Sequence, residues 1–189
     1  MRKVMLLGFL LLVTIISACS VHNAARRGEL AEYEVTNTHA ELEEGDFIYR
    51  LVTERGEYNQ GDRVTLYAEL EYIGEKDEVT IYHAASPFHF PIVEKVRNYK
   101  VDYFMNEPLV STVLKKGEPY QEEYKGSGGY SSEDDKQYVA FVQKIAENQF
   151  PSGYYVVSGF ADFFLADEEG QKKKGFQMNA QIDFKVLPQ

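Results

Sequence analysis

Arg63-Val64-Thr65-Leu66-Tyr67-Ala68-Glu69-Leu70-Glu71-Tyr72 alternates apolar and polar residues without a break, except that Tyr67 stands among the polar set. Successive side chains of a strand point to opposite faces, so Val64, Leu66, Ala68, Leu70 and Tyr72 share one side. Arg63, Thr65, Tyr67, Glu69 and Glu71 share the other. One apolar and one charged face predicts a strand in a sheet with one side in water. The end of the chain repeats the pattern. Phe176, Met178, Ala180, Ile182, Phe184 and Val186 alternate with Gln177, Asn179, Gln181, Asp183 and Lys185.

Working outward, Phe47–Glu54 is rich in β-forming residues, and Tyr58-Asn59-Gln60-Gly61-Asp62 predicts a turn after it. Glu78 to His83 pairs back on 63–72 through the turn at Gly74–Asp77. Further strands are expected near Val101–Phe104, Leu109–Leu114, Tyr120–Tyr124 and Tyr154–Leu165. Residues 166–175 form a charged hairpin loop before the last strand. One helix interrupts the series, over about Glu133–Asn148. Ser131-Ser132 and the acids Glu133, Asp134 and Asp135 suit its start. Tyr138, Phe141, Val142 and Ile145 follow at helical spacing. Several short strands separated by turn signals predict an antiparallel β-sandwich, immunoglobulin-like, with one helical insertion.

Phe150-Pro151-Ser152-Gly153-Tyr154-Tyr155-Val156-Val157 is similar to the Pro-x-Gly-x-Tyr-x-Val start of a late strand in bacterial immunoglobulin-like domains. It also resembles the protease-inhibitor-like sandwiches of the BsuPI type. The likeness covers about ten residues. Its register implies that Tyr155, Val157, Gly159, Ala161 and Phe163 face the core.

Composition bounds the function. The 189 residues carry 20 Lys+Arg against 30 Asp+Glu, a formal net charge of −10. That balance disfavours nonspecific nucleic-acid binding. A single Cys excludes an internal disulfide and any zinc site built on two thiolates. A hydrophobic content of 44% is too high for a wholly disordered chain.

The start of the chain carries the location. Met1-Arg2-Lys3 is positive, and Val4 to Ile16 has no charge. The run is too short for a comfortable membrane span, which takes about 20 residues. Positive start, short apolar run and small residues describe a secretory signal. Ile16-Ser17-Ala18-Cys19 resembles the lipobox of bacterial lipoproteins. That resemblance implies diacylglycerol on the Cys19 thiol, cleavage before Cys19, and anchoring at the extracytoplasmic face of the cell membrane. With the sandwich pattern, the whole resembles lipoproteins of Bacillus-type bacteria. The expected organisation is a signal peptide over 1–18, a lipidated N-terminus and acidic tether over 19–46, and a sandwich over 47–189. As a flexible coil, the tether would span roughly 30 Å.

Residues able to carry chemistry are few. His83 and His89 lack the further ligands that a metal site needs. Gly126-Ser127-Gly128-Gly129 lacks the Gly-Lys-Ser/Thr of a phosphate loop and reads as a flexible loop tip. Ser86, Ser111 and Ser158 could be combined with a His on paper, but no Gly-x-Ser-x-Gly elbow exists. Glu122-Glu123 and Asp134-Asp135 are sequence neighbours that do not converge on a substrate. Glu41-Glu43-Glu44 and Asp167-Glu168-Glu169 do not follow calcium-loop spacing. The stiff aromatic segment Phe88-His89-Phe90, flanked by Pro87 and Pro91, is the candidate contact surface, against the alternative that its Phe residues plug the core. The expectation is a binding or adaptor module with no cofactor, not an enzyme, meeting a partner or ligand at the envelope. A protease-inhibitor-like domain is the alternative, and an envelope hydrolase a distant third.

Overall fold

The computed structural model describes residues 23–167 and 171–189. The fold is mainly β, and the described residues form fourteen strands and two helices, α1 over residues 23–31 and α2 at Lys136–Ala146. The first sheet has the order β1-β2-β4-β10, made of His39–Glu44, Phe47–Thr53, Leu66–Tyr72 and Tyr120–Glu123. The stretch that decided the fold behaves as its pattern requires. Leu66, Ala68, Leu70 and Tyr72 are buried, and Glu69 and Glu71 on the other face flank Arg50.

A second sheet has the order β3-β14-β11-β7-β8 and a third β13-β12-β5-β9. Their strands are β3 Glu57–Asn59, β5 Glu78–His83, β7 Ile92–Glu94, β8 Tyr99–Val101, β9 Val110–Lys115, β11 Gly153–Val157, β12 Phe160–Ala166, β13 Lys172–Asn179 and β14 Ile182–Leu187. β6, Phe88–His89, pairs with β12. The two sheets are halves of one bent layer. β6 and β7 are separated by Phe90-Pro91, β11 and β12 by Ser158-Gly159, and β13 and β14 by Ala180-Gln181. Hydrogen bonds tie the three joints together: Ser158 N donates to Pro91 O at 3.0 Å, and Ala180 N to Gly159 O at 2.9 Å. Gly159 lets this crease press on the first sheet, since a Cβ there would lie 2.9 Å from both Leu51 methyls.

The core between the layers is aromatic. Phe47 stands edge-on to Phe163 and Phe176, and Tyr155 stacks on Phe184 at 5.1 Å. Tyr155, Val157, Gly159, Ala161 and Phe163 are all buried, in the register expected. The expected 154–165 and 176–186 strands each break at the crease. Tyr58, read as a turn residue, lies in β3, which pairs in parallel with β14.

α2 is shorter than expected. The Asp135 side chain accepts from Gln137 N and Tyr138 N, so Asp135 caps the helix and Glu133 and Asp134 stay outside it. Asn148, at φ 59°, follows its end. Phe141, Val142 and Ile145 are buried beneath it.

The expected free tether is replaced, over its described part, by docked structure. α1 buries Leu30, residues 33–37 pass over β11 to the start of β14, and β1 pairs with β2 from His39↔Val52 to Glu44↔Phe47. The physical reason is an apolar and hydrogen-bonding complement spread thinly through a charged segment: Leu30, Tyr33, Thr36 and Asn37.

Candidate functional site

The aromatic segment first expected to make contacts is core. Phe88 and Phe90 are 0% and 2% exposed, Phe88 stacking toward Tyr49 and Phe90 meeting Tyr103 and Tyr124 edge-on. Strand alternation turns only His89 outward, where it stacks on Phe160 at 4.4 Å. The contact surface offered at Phe88 and Phe90 is therefore corrected in favour of the alternative reading, in which both plug the core. Cys19 lies outside the described residues.

His89 lies at a cleft on the outer face of the third sheet. The cleft holds about 380 Å³ and lies between β5, β12 and the 102–109 loop. Tyr82 and Phe164, cross-strand neighbours stacked at 5.4 Å, supply aromatic surface, and Leu109 lies at the loop. Glu107 and Asp162 bring carboxylates to the same cleft. Burial pushes the His89 imidazole below its ordinary value, and the two carboxylates only partly oppose that. The cleft is thus acidic, with a neutral imidazole and an aromatic wall at neutral pH.

Beside it runs β9, the edge strand of this sheet. Leu109, Val110 and Val113 are among the few large apolar side chains left exposed, at 72%, 36% and 54%. Sequence alternation alone made Leu109–Leu114 a strand but did not say that it would end a sheet. That required the strand order.

The other candidates resolve into structure. His83 is buried; its Nδ1–H donates to Ala84 O at 2.8 Å, and Nε2 shares a hydrogen bond of 2.8 Å with the Thr112 hydroxyl. Ser86 Oγ accepts from Phe88 N, and Ser158 Oγ from the Gln181 amide. Ser111 is an exposed residue of β9. Glu122 and Glu123 separate, toward Tyr120 and Arg63 respectively. Asp134 accepts from Ser131 N, while Glu41 pairs with Arg50. Glu43 and Glu44 are exposed on β1, and Asp167 accepts from Gln171 N. Among the described residues no cluster of three or more His, Cys, Asp or Glu is arranged to hold a metal ion. The glycine run is no loose tip. Gly126, at φ 83°, brings its backbone against the Ala146 carbonyl, and Gly128 packs on Val142.

Two buried carboxylates went unnoticed in the sequence. Glu94, fully buried, accepts from Val96 N, Arg97 N and Tyr154 N and pairs with the Arg97 guanidinium at 3.0 Å. Asp183 accepts from Thr36 N, Thr36 Oγ1, Asn37 N and Tyr154 OH, at 2.9, 2.7, 2.8 and 2.6 Å. In the strand pattern Asp183 counts as an outward polar residue. It is buried because residues 36–37 cover that face.

No family model and no curated protein matches this chain.

Proposed function

We propose that this protein is a lipid-anchored, extracytoplasmic binding module, held to the cell membrane through Cys19, which meets an envelope partner with the outer face of β5, β9 and β12. The observation that carries the binding reading is the pair of exposed apolar side chains Leu109 and Val113, which by strand alternation share the outer face beside the acidic, aromatic-walled cleft, while Val110 pairs with buried His83 on the other face. Among the described residues Leu42, Phe104 and Tyr130 are the other large apolar side chains left exposed, and apolar side chains rimmed by polar groups suit recognition. Glu107 and Asp162 favour a basic side chain whose aliphatic stem lies against Tyr82 and Phe164. The anchoring reading rests on the sequence of residues 1–19. The reaction class assigned is none: the module binds.

The test is photo-crosslinking in cells, with the crosslinking side chain at Val113 and, as control, at Leu42, the exposed apolar residue of β1. A discrete adduct at Val113 that is absent at Leu42 and lost with Leu109→Asp supports the reading. Equal adducts at both positions, or none at Val113, overturn it.

A further inference from the structure

The descent of the chain from Cys19 to the first sheet fixes how the domain stands. Asn23 Nδ2 donates to the Gln189 carbonyl at 2.8 Å, and Arg27 to the Pro188 carbonyl at 2.9 Å. The first described turn of α1 therefore lies at the C-terminal end of β14. Residues 33–37 then pass over β11 at Tyr154 to the start of β14 at Asp183. Tyr33 stacks on Tyr154 at 4.7 Å, Thr36 and Asn37 grip Asp183, and the Asn37 amide donates to Gln181 O at 2.9 Å. Only Ser20, Val21 and His22 separate Cys19 from Asn23. Four peptide units reach at most about 14 Å even when fully extended.

β13 and β14 form one creased strand whose far end is at Lys172, next to which Asp167 N donates to Gln171 O. From Leu187 back to Gly175, at about 3.3 Å per residue, the path is up to about 40 Å. Gly175 pairs with Phe164, and Gln177 with Asp162. The cleft thus lies on the half of the molecule remote from Asn23.

We propose that the strap of residues 23–37 holds the domain upright on the bilayer, with the end formed by Asn23, Gln189, Gln60 and Arg63 facing phospholipid headgroups and the cleft displayed away from them. This rests on the anchoring of Cys19. The occupant of the near end is a lipid surface because Asn23 lies there, and a lipid on Cys19 can be no farther from it than four peptide units allow. An open cavity of about 550 Å³ lies at this end, its lining of mixed charge with Arg63 and Lys144 beside Asp62 and Glu147, and Gln189 donates to Gln60 O at 2.9 Å. None of the exposed large apolar side chains lines it. Its surface suits headgroups, not insertion into acyl chains.

The experiment uses the chain from Cys19 onward, which contains every residue of the described core. Cys19, the sole thiol, is coupled to a maleimide lipid in vesicles of phosphatidylcholine and phosphatidylglycerol. A fluorescent amino acid replaces Gln60 or Gln177, both exposed, and an acceptor is placed on the lipid headgroups. Transfer severalfold stronger from position 60 than from 177 is expected. Asp183→Asn, checked for folding by circular dichroism, should narrow that difference by releasing the strap. Equal transfer in the unsubstituted chain, or stronger transfer from 177, overturns the proposal. Chemical coupling supplies the anchor, so this outcome is independent of acylation in cells. The mass of the N-terminal peptide from full-length protein reads acylation separately.

Discussion

Asp183→Ala is the most informative single perturbation of this fold. The carboxylate accepts from two backbone N–H groups and two hydroxyls, and it joins β14, β11 and the N-terminal strap at one point. A hydrogen bond to a charged group contributes about 1.5–3 kcal/mol net. The four do not sum. Once the carboxylate is gone the strap can lift, and the N–H groups of Thr36 and Asn37 regain water. Tyr154 OH also faces the Glu34 carbonyl at 3.3 Å. The expected loss is therefore about 2–4 kcal/mol, near the upper part of the range for single substitutions. Burial works against the Asp183 charge, but hydrogen bonds from Tyr154, Asn37 and Thr36 outweigh it and hold the carboxyl below its ordinary 3.8. A carboxyl held low in the folded state stabilises it above the unfolded value, and that contribution is lost as pH falls through the folded value. Urea unfolding of both proteins should show the full difference at pH 7 and a shrinking one below about pH 4. Limited proteolysis at pH 7 should cut the variant first between residues 23 and 44. A loss under about 0.5 kcal/mol, or a difference that grows in acid, would refute the latch.

Other consequences are equally open to measurement. Tyr49 OH is buried without a partner and burial drives its pKa up, so Tyr49→Phe should leave stability unchanged or raise it by about 1 kcal/mol in thermal unfolding. Gly159→Ala should cost about 1–3 kcal/mol, because the added carbon meets Leu51 and the Tyr49 hydroxyl, and chemical denaturation reads it directly. Arg97→Ala removes the cation paired with the buried Glu94 carboxylate but leaves its three backbone N–H donors, and should destabilise by about 1.5–3 kcal/mol in chemical denaturation, more than Arg63→Ala at its exposed pair. Binding of a basic peptide captured at the cleft should weaken as pH falls below about 6.5 and His89 gains charge, as titration calorimetry would show.

The alternating strands were legible because burial on one face leaves a period of two in the sequence. That is why 63–72 and 176–186 were placed, whereas the register of Tyr155 to Phe163 came from the likeness of 150–157 to immunoglobulin-like domains. The crease was less visible. Nothing in Val157-Ser158-Gly159-Phe160 distinguishes a continuous strand from two halves except the glycine, whose meaning comes from Leu51 across the core. The docked strap was hidden for a related reason. Its fixings are single residues, Leu30, Tyr33, Thr36 and Asn37, with no periodicity among charged neighbours. Asp183 and Phe88 mark the two directions of error. A polar residue in an outward register became buried once another segment covered it, and an aromatic loop that resembled a contact surface became core. The cleft needed strand order, which brings Tyr82 against Phe164 and His89 against Phe160 from distant stretches.

The N-terminal peptide of the full-length protein, extracted from membranes and weighed by mass spectrometry, tests the anchored-module account most directly. A peptide beginning at Cys19 and carrying diacylglycerol on its thiol is predicted, together with loss of membrane retention in Cys19→Ala. An unmodified Cys19, or a mature chain that keeps residues 1–18, would contradict it.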